Sequence, residues 1–342
     1  MYQNNLCFAP AGIDACALWR MWMPHLNIVN SRFLFTEGAP DIHSMSECDI
    51  LVVQRLMMDT NVQFLRIARA HGLKIVYDLD DNVWNLPASN PAASFFDRDE
   101  SVEGLRHCAE MADAITVSTR ELQKVVQAKW KGMVNAETGK PIPIIHIDNC
   151  VDTKLFRPIY GDKDQDKVVI GWAGSNTHGG DLGKVWSLLP DLLSRFPNVY
   201  LEFIGHAPPD KIRMHERVRE RPWAHVSEFH NRFATWNWDI ALAPLEHHRF
   251  NESKSSIKMQ EAGAISIPCL ATNIAPYQYF CSFTKSLDWL LCEDWEWEKK
   301  LVALIKDASL RKDLGQLAYA NTVVNFSIDR TAAQWKDLAR CL

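Results

Sequence analysis

Hydrophobic residues in the first half of the chain fall into short apolar runs separated by amphipathic stretches. The runs that predict strands are residues 49–54 (DILVVQ), 74–78 (KIVYD), 114–117 (AITV) and 143–147 (PIIHI). The stretches that predict helices are residues 61–70, ending before Gly72, residues 102–111, and a helix opened by a Ser118–Glu121 capping box that runs to about residue 129. Alternating strands and helices predict a parallel sheet covered by helices on both faces.

The second half repeats this alternation after a polar stretch at residues 160–167 (YGDKDQDK). Its predicted strands are residues 168–173 (VVIGWA), 199–204 (VYLEFI), 239–243 (DIALA) and 267–271 (IPCLA). Its predicted helices are residues 181–196, kinked at Pro190, and residues 255–262. Two consecutive units predict an α/β protein of two Rossmann-like domains, residues 1–160 and 161–325, followed by residues 326–342 as a C-terminal segment.

Composition agrees with two globular domains and excludes several classes of protein. A chain of 342 residues suits two domains of about 150 residues each. With 47% hydrophobic and 23% charged residues, it lacks the composition of a disordered protein. The net charge of −5 supplies no overall attraction to polyanions, although a local basic groove could still bind nucleic acid.

Cysteine usage and hydropathy indicate a cytoplasmic protein. Nine cysteines, an odd number without a Cys-x-x-Cys pair, fit neither a zinc site nor a disulfide framework and indicate reduced thiols. The N-terminus lacks the basic region of a signal peptide. Residues 262–284 are uncharged and long enough to cross a bilayer, but Pro268 and Pro276 indicate a helix end, a strand and a turn, so we predict no membrane span.

Candidate chemistry lies after the predicted strands, because ligands of open parallel sheets bind beyond the carboxyl ends of the strands. The strand VVIGWA is followed by Gly174, Ser175 and His178, and then by a helix that starts near Asp181. Glycines let backbone amides approach an anion, and the start of a helix adds the positive end of its dipole. The segment therefore predicts a phosphate site, with an ordinary turn as the alternative.

A pair of lysines and a glutamate follow the strand DIALA. Lys254, Lys258 and Glu261 are four and three residues apart, so a helix places them on one face. Two ammonium groups suit a diphosphate, and the glutamate suits the hydroxyls of a ribose. The alternative is a solvated charge pattern. The apolar continuation AGAISIPCLAT disfavours that alternative, because burial of the rest of the element directs the charged face into a crevice.

Three further polar features have more than one explanation. Asp80 and Asp81 follow the carboxyl end of the strand KIVYD, where carboxylates orient hydroxyls, act as a base or hold a divalent ion, with an Asx-type turn as the alternative. Arg20, alone in an apolar helix, requires an anionic partner, either on the substrate or as a structural carboxylate. His247 and His248 are adjacent on a loop without a third ligand at useful spacing, so we predict no metal site.

Taken in order, these segments resemble the GT-B glycosyltransferases close to glycosyltransferase family 4, and more narrowly the branch common in bacteriophage and surface-polysaccharide gene sets. The resemblance is carried by the Arg20 stretch that ends at Pro24 and by the segments KIVYDLDDNVW, ADAITVSTREL, NCVD, VVIGWAGSNTH, DIALAPL and FNESKSSIKMQEAGAISIPCLAT. Together they run over nearly the whole chain, so the combination is specific although each piece is short.

The resemblance implies two facing domains with the active site in the cleft between them, and a C-terminal segment that crosses back to the first domain. It implies a retaining, metal-independent transfer with a nucleotide-diphosphate sugar as co-substrate and no cofactor. The residues that the resemblance assigns to donor binding are Gly174, Ser175, His178, Lys254, Lys258 and Glu261. The residues that it assigns to catalysis are Asp80 and Asp81, facing the acceptor and the donor sugar, and Lys258, facing the leaving phosphate.

Two features depart from the family pattern. Many members carry two glutamates separated by seven residues, and here the second is Glu261 but the first position is Ser253. The usual arginine and lysine after the first strand of the second domain are absent, and Lys254 and Lys258 take their place. These departures leave open which sugar the protein selects.

The sequence thus predicts a glycosyltransferase whose acceptor is a glycan or a hydroxymethylated pyrimidine in phage DNA. Two rival functions stand beside it. One is a non-catalytic sugar-nucleotide-binding or scaffold protein with a degenerate fold, which the loss of the first glutamate favours. The other is a sugar-nucleotide epimerase of the same architecture, which would need no acceptor.

Overall fold

The computed structural model describes residues 5–34, 45, 47–158, 164, 166–225 and 227–342. Its first sheet consists of the parallel strands β1 (Leu6–Ala9), β2 (Ser31–Phe33), β3 (Ile50–Gln54), β4 (Lys74–Leu79), β5 (Ala114–Val117) and β6 (Ile144–His146), in the spatial order β2-β1-β3-β4-β5-β6. The helices of this half are α1 (Ala15–Ala17), α2 (Met23–Asn27), α3 (Asp59–Ala70), α4 (Ala93–Phe96), α5 (Asp99–Ala109) and α6 (Arg120–Lys129). A π-helical turn, Leu18–Trp22, joins α1 to α2.

The strands predicted in this half are confirmed to within one residue at each end, because β3, β4 and β5 are apolar runs buried on both faces. Strands β1 (LCFA) and β2 (SRF) are not predicted; β2 carries a single apolar residue and has no apolar run. Helix α3 ends before Gly72 as predicted. Gly72 has a φ of +88°, a left-handed conformation that glycine adopts without steric cost.

The predicted cap of α6 is wrong by one residue. Thr119, not Ser118, caps this helix, and its hydroxyl oxygen accepts a hydrogen bond from the Leu122 amide at 3.0 Å. The Ser118 hydroxyl instead donates to the Asp80 carbonyl at 2.8 Å. The chain is therefore still tied to the end of the neighbouring strand β4 at Ser118, and the helix begins one residue later than the pattern indicates.

The second sheet is also parallel. It consists of β7 (Val168–Ala173), β8 (Val199–Ile204), β9 (Val218–Arg221), β10 (Ile240–Ala243), β11 (Cys269–Thr272) and β12 (Leu291–Cys292), in the spatial order β12-β11-β10-β7-β8-β9. The helices around it are α7 (Gly179–Trp186), α8 (Leu189–Arg195), α9 (Asp210–Arg213), α10 (Phe229–Thr235), α11 (Arg249–Glu252), α12 (Ile257–Ala264), α13 (Ala275–Cys281), α14 (Trp297–Lys306) and α15 (Ala308–Asn325). A last helix, α16 (Ile328–Cys341), follows.

Two predictions in this half need correction. The single kinked helix predicted over residues 181–196 is two helices, α7 and α8, because Pro190 lacks the amide that a continuous helix requires and lies in the first turn of α8. Strand β9 is not predicted, since three of its four residues are charged and it has no apolar run. It forms an edge of the sheet, where charged side chains discourage pairing with another chain.

Helix α16 packs mainly against the first sheet, and its first residue, Ile328, belongs to the core around the second sheet. Trp335 is fully buried, and its ring meets the Phe8 ring edge-on with the centroids 5.3 Å apart. A backbone bridge between Val151 and Ser327 leads the chain into this helix. The predicted domain boundary at residue 160 lies outside the described residues.

The sequence also predicts that the chain has no membrane span and that its cysteines are reduced. Among the described residues, no helix is at once long enough and apolar enough to cross a bilayer. All nine cysteines are free thiols, and six of them are buried.

Candidate functional site

A cleft of about 560 Å³ lies beyond the carboxyl ends of the strands of both sheets. Residues enter it from the ends of β3 and β4 in the first half and from the end of β7 in the second half. Eight of the nine sequence-predicted site residues line it: Asp80, Asp81, Gly174, Ser175, His178, Lys254, Lys258 and Glu261. The topology thus brings together positions that are up to 181 residues apart in the chain.

Gly174 lies at a point of this cleft where a side chain would collide with its neighbours. A Cβ atom on this residue would lie 2.4 Å from the Trp172 ring and 3.3 Å from Lys258 Nζ. The chain then passes through a 3-10 turn, Asn176–His178, into helix α7 at Gly179. Bare backbone beside a helix start is an arrangement that accommodates an anion.

Two lysines reach the cleft from different elements. Lys258 lies in the first turn of α12, whereas Lys254 lies between α11 and α12. The prediction that Lys254 shares a helical face with Lys258 and Glu261 is therefore wrong, because the helix begins only at Ile257. Lys254 is held instead by packing, with its Nζ 4.8 Å from the centroid of the Phe250 ring.

Neither ammonium group has a carboxylate within 4 Å among the described residues. Lys258 Nζ donates to the Ala173 carbonyl and lies 5.2 Å from the centroid of the Trp172 ring. Burial lowers the pKa of both Lys254 and Lys258, and nearby carboxylates only partly offset this. Two half-buried cations without a carboxylate partner favour the binding of an anion between them.

Glu261 lies one helical turn beyond Lys258 and is only 6% exposed. Burial raises the pKa of its carboxyl to about 7, although the charge of Lys258 acts in the opposite direction. No hydrogen bond from a described side chain holds this carboxylate. It is therefore available to accept hydrogen bonds from the hydroxyls of a ligand.

His178 and Asp181 form a hydrogen-bonded pair beside the lysines. Burial and the charge of Lys254 lower the pKa of His178 to about 4, so the ring is neutral at pH 7. Its Nδ1 lies 2.8 Å from Asp181 Oδ2, and the neutral ring donates to this carboxylate. The other carboxylate oxygen, Oδ1, accepts from the Glu246 amide and from Asn251 Nδ2, both at 2.8 Å. Asp181 thereby ties the His178 ring to the loop after β10.

The first-half wall of the cleft carries an acidic cluster around one arginine. Asp80 is 7% exposed, and its Oδ1 lies 3.2 Å from Arg55 Nε. The same guanidinium lies 3.3 Å from Asp14 Oδ2. Arg55 has a φ of +47°, an uncommon conformation for a residue other than glycine, and its amide donates to the Asp78 carbonyl at 3.1 Å. Sequence reasoning missed Arg55, although its place directly after the strand DILVVQ was the available signal.

One group of side chains in the cleft has the spacing of metal ligands. Among the described residues, only Cys16, Asp80 and Asp81 form such a group, with their ligand atoms all within 4.8 Å of one another. The Arg55 guanidinium already pairs with Asp80 at this point. A positive charge so close opposes a divalent cation, so the geometry favours an ion pair over a metal.

Arg20 is the predicted site residue that does not line the cleft. Its side chain is 1% exposed, and its Nε and Nη2 atoms donate to the two oxygens of Asp78, which is fully buried. Its Nη1 donates to the Ile147 carbonyl and to Asn149 Oδ1. The sequence left open whether the anionic partner of Arg20 is a substrate or a structural carboxylate. The structure shows the structural carboxylate, Asp78, because the guanidinium donors named here bind groups of the protein itself.

Ser253, at the position of the missing glutamate, also lies outside the cleft. It is 3% exposed, and its hydroxyl donates to the Arg249 carbonyl and accepts from Asn82 Nδ2 at 3.1 Å. Its carbonyl accepts from the Thr119 hydroxyl at 2.8 Å. Since Asn82 and Thr119 belong to the first half, Ser253 connects the two halves and does not face a ligand.

Trp223 is a second cleft residue that sequence reasoning missed. It is 43% exposed and stacks on the Phe229 ring, with the centroids 5.4 Å apart. Trp223 belongs to the segment between β9 and α10, which has no strand or helix signal that would have drawn attention to it, and Phe229 is the first residue of α10. An exposed aromatic face in a cleft is suited to stacking with a planar ring of a ligand.

Comparisons with known proteins relate this arrangement to a fold. No family model and no curated protein matches the sequence. Among solved structures, the chain is similar to S. aureus TarM, in a complex with UDP and alpha-GlcNAc-glycerol, with a TM-score of 0.58 and 12% identity over 85% of this chain and 55% of that one. It is similar to the pneumococcal O-GlcNAc transferase GtfA, in complex with UDP and GlcNAc, with a TM-score of 0.56 and 11% identity over 94% of this chain and 59% of that one.

A third similar structure is a UDP-N-acetylglucosamine 2-epimerase from Listeria monocytogenes, described as putative, with a TM-score of 0.54 and 11% identity over 96% of this chain and 94% of that one. The chain spans little more than half the length of TarM and GtfA. These likenesses establish the predicted GT-B fold of two parallel six-stranded sheets.

Proposed function

We propose that this protein transfers a sugar from a nucleotide-diphosphate sugar to an acceptor hydroxyl. The observation that carries the proposal is the pair of half-buried ammonium groups of Lys254 and Lys258 beside Gly174 and Glu261 in one cleft, neither with a carboxylate within 4 Å among the described residues. The lysines and the start of α7 bind the diphosphate, and Glu261 accepts hydrogen bonds from the ribose. The bare backbone at Gly174 lets the phosphates approach closely.

In this proposal the chemistry is mainly electrostatic. As the bond between the sugar and the diphosphate breaks, negative charge grows on the leaving phosphate beside the ammonium of Lys258. The half-buried position of this ammonium strengthens the stabilisation relative to open water. Asp80 and Asp81, across the cleft, orient the acceptor hydroxyl and receive its proton. The leaving phosphate assists attack on the same face of the sugar, so we expect retention without a bound metal or other cofactor.

The same geometry supports two assignments for the rest of the donor. We assign the exposed ring of Trp223 to stacking with the nucleobase. We assign His178 to a hydroxyl of the donor. Its Nδ1 proton is held by Asp181, so the neutral ring has Nε2 as a hydrogen-bond acceptor.

The acceptor and the setting of the reaction are proposals from the sequence. The acceptor hydroxyl belongs to a glycan or to a hydroxymethylated pyrimidine in phage DNA. Nine free thiols suit the reducing conditions of the cytoplasm, and a bacteriophage or surface-polysaccharide context follows only from the sequence resemblance.

Turnover of nucleotide sugars by the purified protein tests the proposal. Thermal shifts first identify the nucleotide sugar that stabilises the protein, since a ligand that binds only the native state raises its melting temperature. With that donor, we expect slow release of the nucleotide diphosphate and of a sugar whose anomeric proton has the configuration of the donor. Stabilisation without turnover would support a scaffold protein. Conversion of the donor into an epimer without release of nucleotide would support an epimerase.

A further inference from the structure

The two walls of the cleft carry opposite charge. On the first-half wall, Asp14, Asp80 and Asp81 stand against a single cation, Arg55. On the other wall, the two lysines outnumber one glutamate, Glu261. Any molecule that enters between the walls therefore meets positive charge on one side and negative charge on the other.

Arg55 is not available to an anionic ligand. Its guanidinium is within 3.2 Å of Asp80 and 3.3 Å of Asp14, so both carboxylates already compete for it. The left-handed backbone of Arg55 and its bond to the Asp78 carbonyl fix the start of this side chain. The first-half wall thus has no free cation among the described residues that line it.

Hydrogen-bond acceptors are available on this wall. Asp80 lines the cleft although it is more than nine-tenths buried. Its Oδ1 is enclosed against Arg55 and out of reach of a ligand, which leaves Oδ2 as the oxygen that can face the cleft. Asp81 is more accessible, and its carboxylate lies within 4.8 Å of that of Asp80. Two carboxylates at this spacing suit neighbouring hydroxyls of one sugar ring.

The flanks of the acidic cluster are apolar. Ile13, Leu86 and Phe96 line the same wall, and Ile13 is 49% exposed. Apolar side chains contact the C–H faces of a sugar ring, whereas a phosphate would lose solvation against them.

From this wall we infer that the acceptor is an uncharged, hydroxyl-rich sugar held by Asp80 and Asp81, and that acceptors with phosphate close to the reacting hydroxyl are excluded. The inference rests on the proposed function and decides between its two acceptor classes. A phosphate about 5 Å from an uncompensated carboxylate of a partly buried site is disfavoured by roughly a hundredfold. The bound donor diphosphate adds further negative charge and strengthens the exclusion.

The test measures the rate of nucleotide release with the preferred donor and a series of added acceptors. The series pairs neutral mono- and disaccharides with their phosphorylated counterparts, and adds hydroxymethylated duplex DNA. We expect neutral sugars to accelerate release and to be glycosylated, with kcat/KM at least about tenfold above that of their phosphorylated counterparts at equal ionic strength. Equal or faster transfer to phosphorylated sugars or to DNA, or a rate that no neutral sugar changes, overturns the inference.

A variant at Asp81 separates this inference from the proposed function. Asp81→Asn removes a charged hydrogen-bond acceptor, so we expect KM for the neutral acceptor to rise at least about tenfold while nucleotide affinity stays the same. Asp97→Asn, an exposed first-half position outside the cleft, is the matched control and should behave as the wild type. An unchanged KM for Asp81→Asn overturns the inference, whereas absence of nucleotide binding in the wild type contradicts the proposed function itself.

Discussion

Glu261 and Lys258 are neighbours on one turn of α12, and their environments oppose their charges. Burial raises the pKa of Glu261 to about 7 and lowers the pKa of Lys258. Each charge partly relieves the other, yet no ion pair within 4 Å joins them among the described residues. Such residues reduce the stability of the unliganded protein, and in the proposed site they do so because their partners belong to the ligand.

This conflict predicts a pH-dependent gain in stability for Glu261→Gln. The carboxyl has a higher pKa in the folded chain than its usual value of 4.5, so the native state binds more protons than the unfolded state between pH 4.5 and 7. Its contribution to stability is complete below pH 4.5 and is lost as pH rises through 7. Neutral glutamine avoids this loss, so we expect a higher melting temperature than wild type at pH 8, by about 2 °C or more, and equal values at pH 4.5.

The same substitution should weaken donor binding, because glutamine offers one acceptor oxygen in place of two. Nucleotide affinity of the wild type should likewise fall as pH drops below 7 and the carboxyl takes up a proton. Melting curves at the two pH values check the stability claim, with the exposed Glu298→Gln as control. A variant that melts below the wild type at pH 8 would contradict the assigned cause.

At the scale of elements, the cleft depends on loops that are tied together by Asp181 in the first turn of α7. Its carboxylate accepts from the His178 ring, the Glu246 amide and the Asn251 amide group. The pKa of Asp181 lies below its usual value. Burial acts to raise it, but the hydrogen bond from His178 and the charge of Lys254 together lower it by more, so the carboxylate form is favoured. The loops after β7 and β10 are thus held by one side chain.

Asp181→Ala should therefore destabilise the protein by about 2 to 4 kcal/mol, because several buried donors lose their acceptor. The midpoint of urea unfolding measures this change. Asp191→Ala removes an exposed partner of Arg195 one turn apart in α8 and should change the free energy of unfolding by less than about 1 kcal/mol. Equal effects of the two substitutions would show that the Asp181 contacts do not hold the loops.

The elements that the sequence predicted are those with a clear period. Runs such as β7 and β8 are buried on both faces, and their bounds are predicted to the residue. Strands β1, β2, β9 and β12 are not predicted. Strands β2 and β9 have one apolar residue each, β12 has only two residues, and the pairing of all four depends on neighbours elsewhere along the chain. The first residue of α12 is also not predictable from spacing, which is why Lys254 was placed on the helix.

At the scale of the whole molecule, contacts between the halves decide which side chains face the cleft. Trp19, from the π-helical turn of the first half, contacts Phe156 with the ring centroids 5.4 Å apart and belongs to the core around the second sheet. Helix α16 returns to the first sheet through Trp335. Sequence spacing shows none of these contacts. Sequence spacing could therefore identify cleft residues at the ends of strands. It could not show that Arg20 and Ser253 bind other groups of the protein or that Arg55 lines the cleft.

The central claim is that the cleft binds a nucleotide diphosphate through Lys258. Calorimetric titration of UDP, GDP and ADP against the wild type and Lys258→Met tests it most directly. The control is Lys300→Met, because Lys300 also donates to a backbone carbonyl and lies beside a Trp ring, but outside the cleft. We expect one nucleotide to bind the wild type and Lys300→Met alike and to bind Lys258→Met at least about tenfold more weakly. Equal affinity of folded Lys258→Met and wild type, or no binding of any nucleotide by the wild type, would contradict the account.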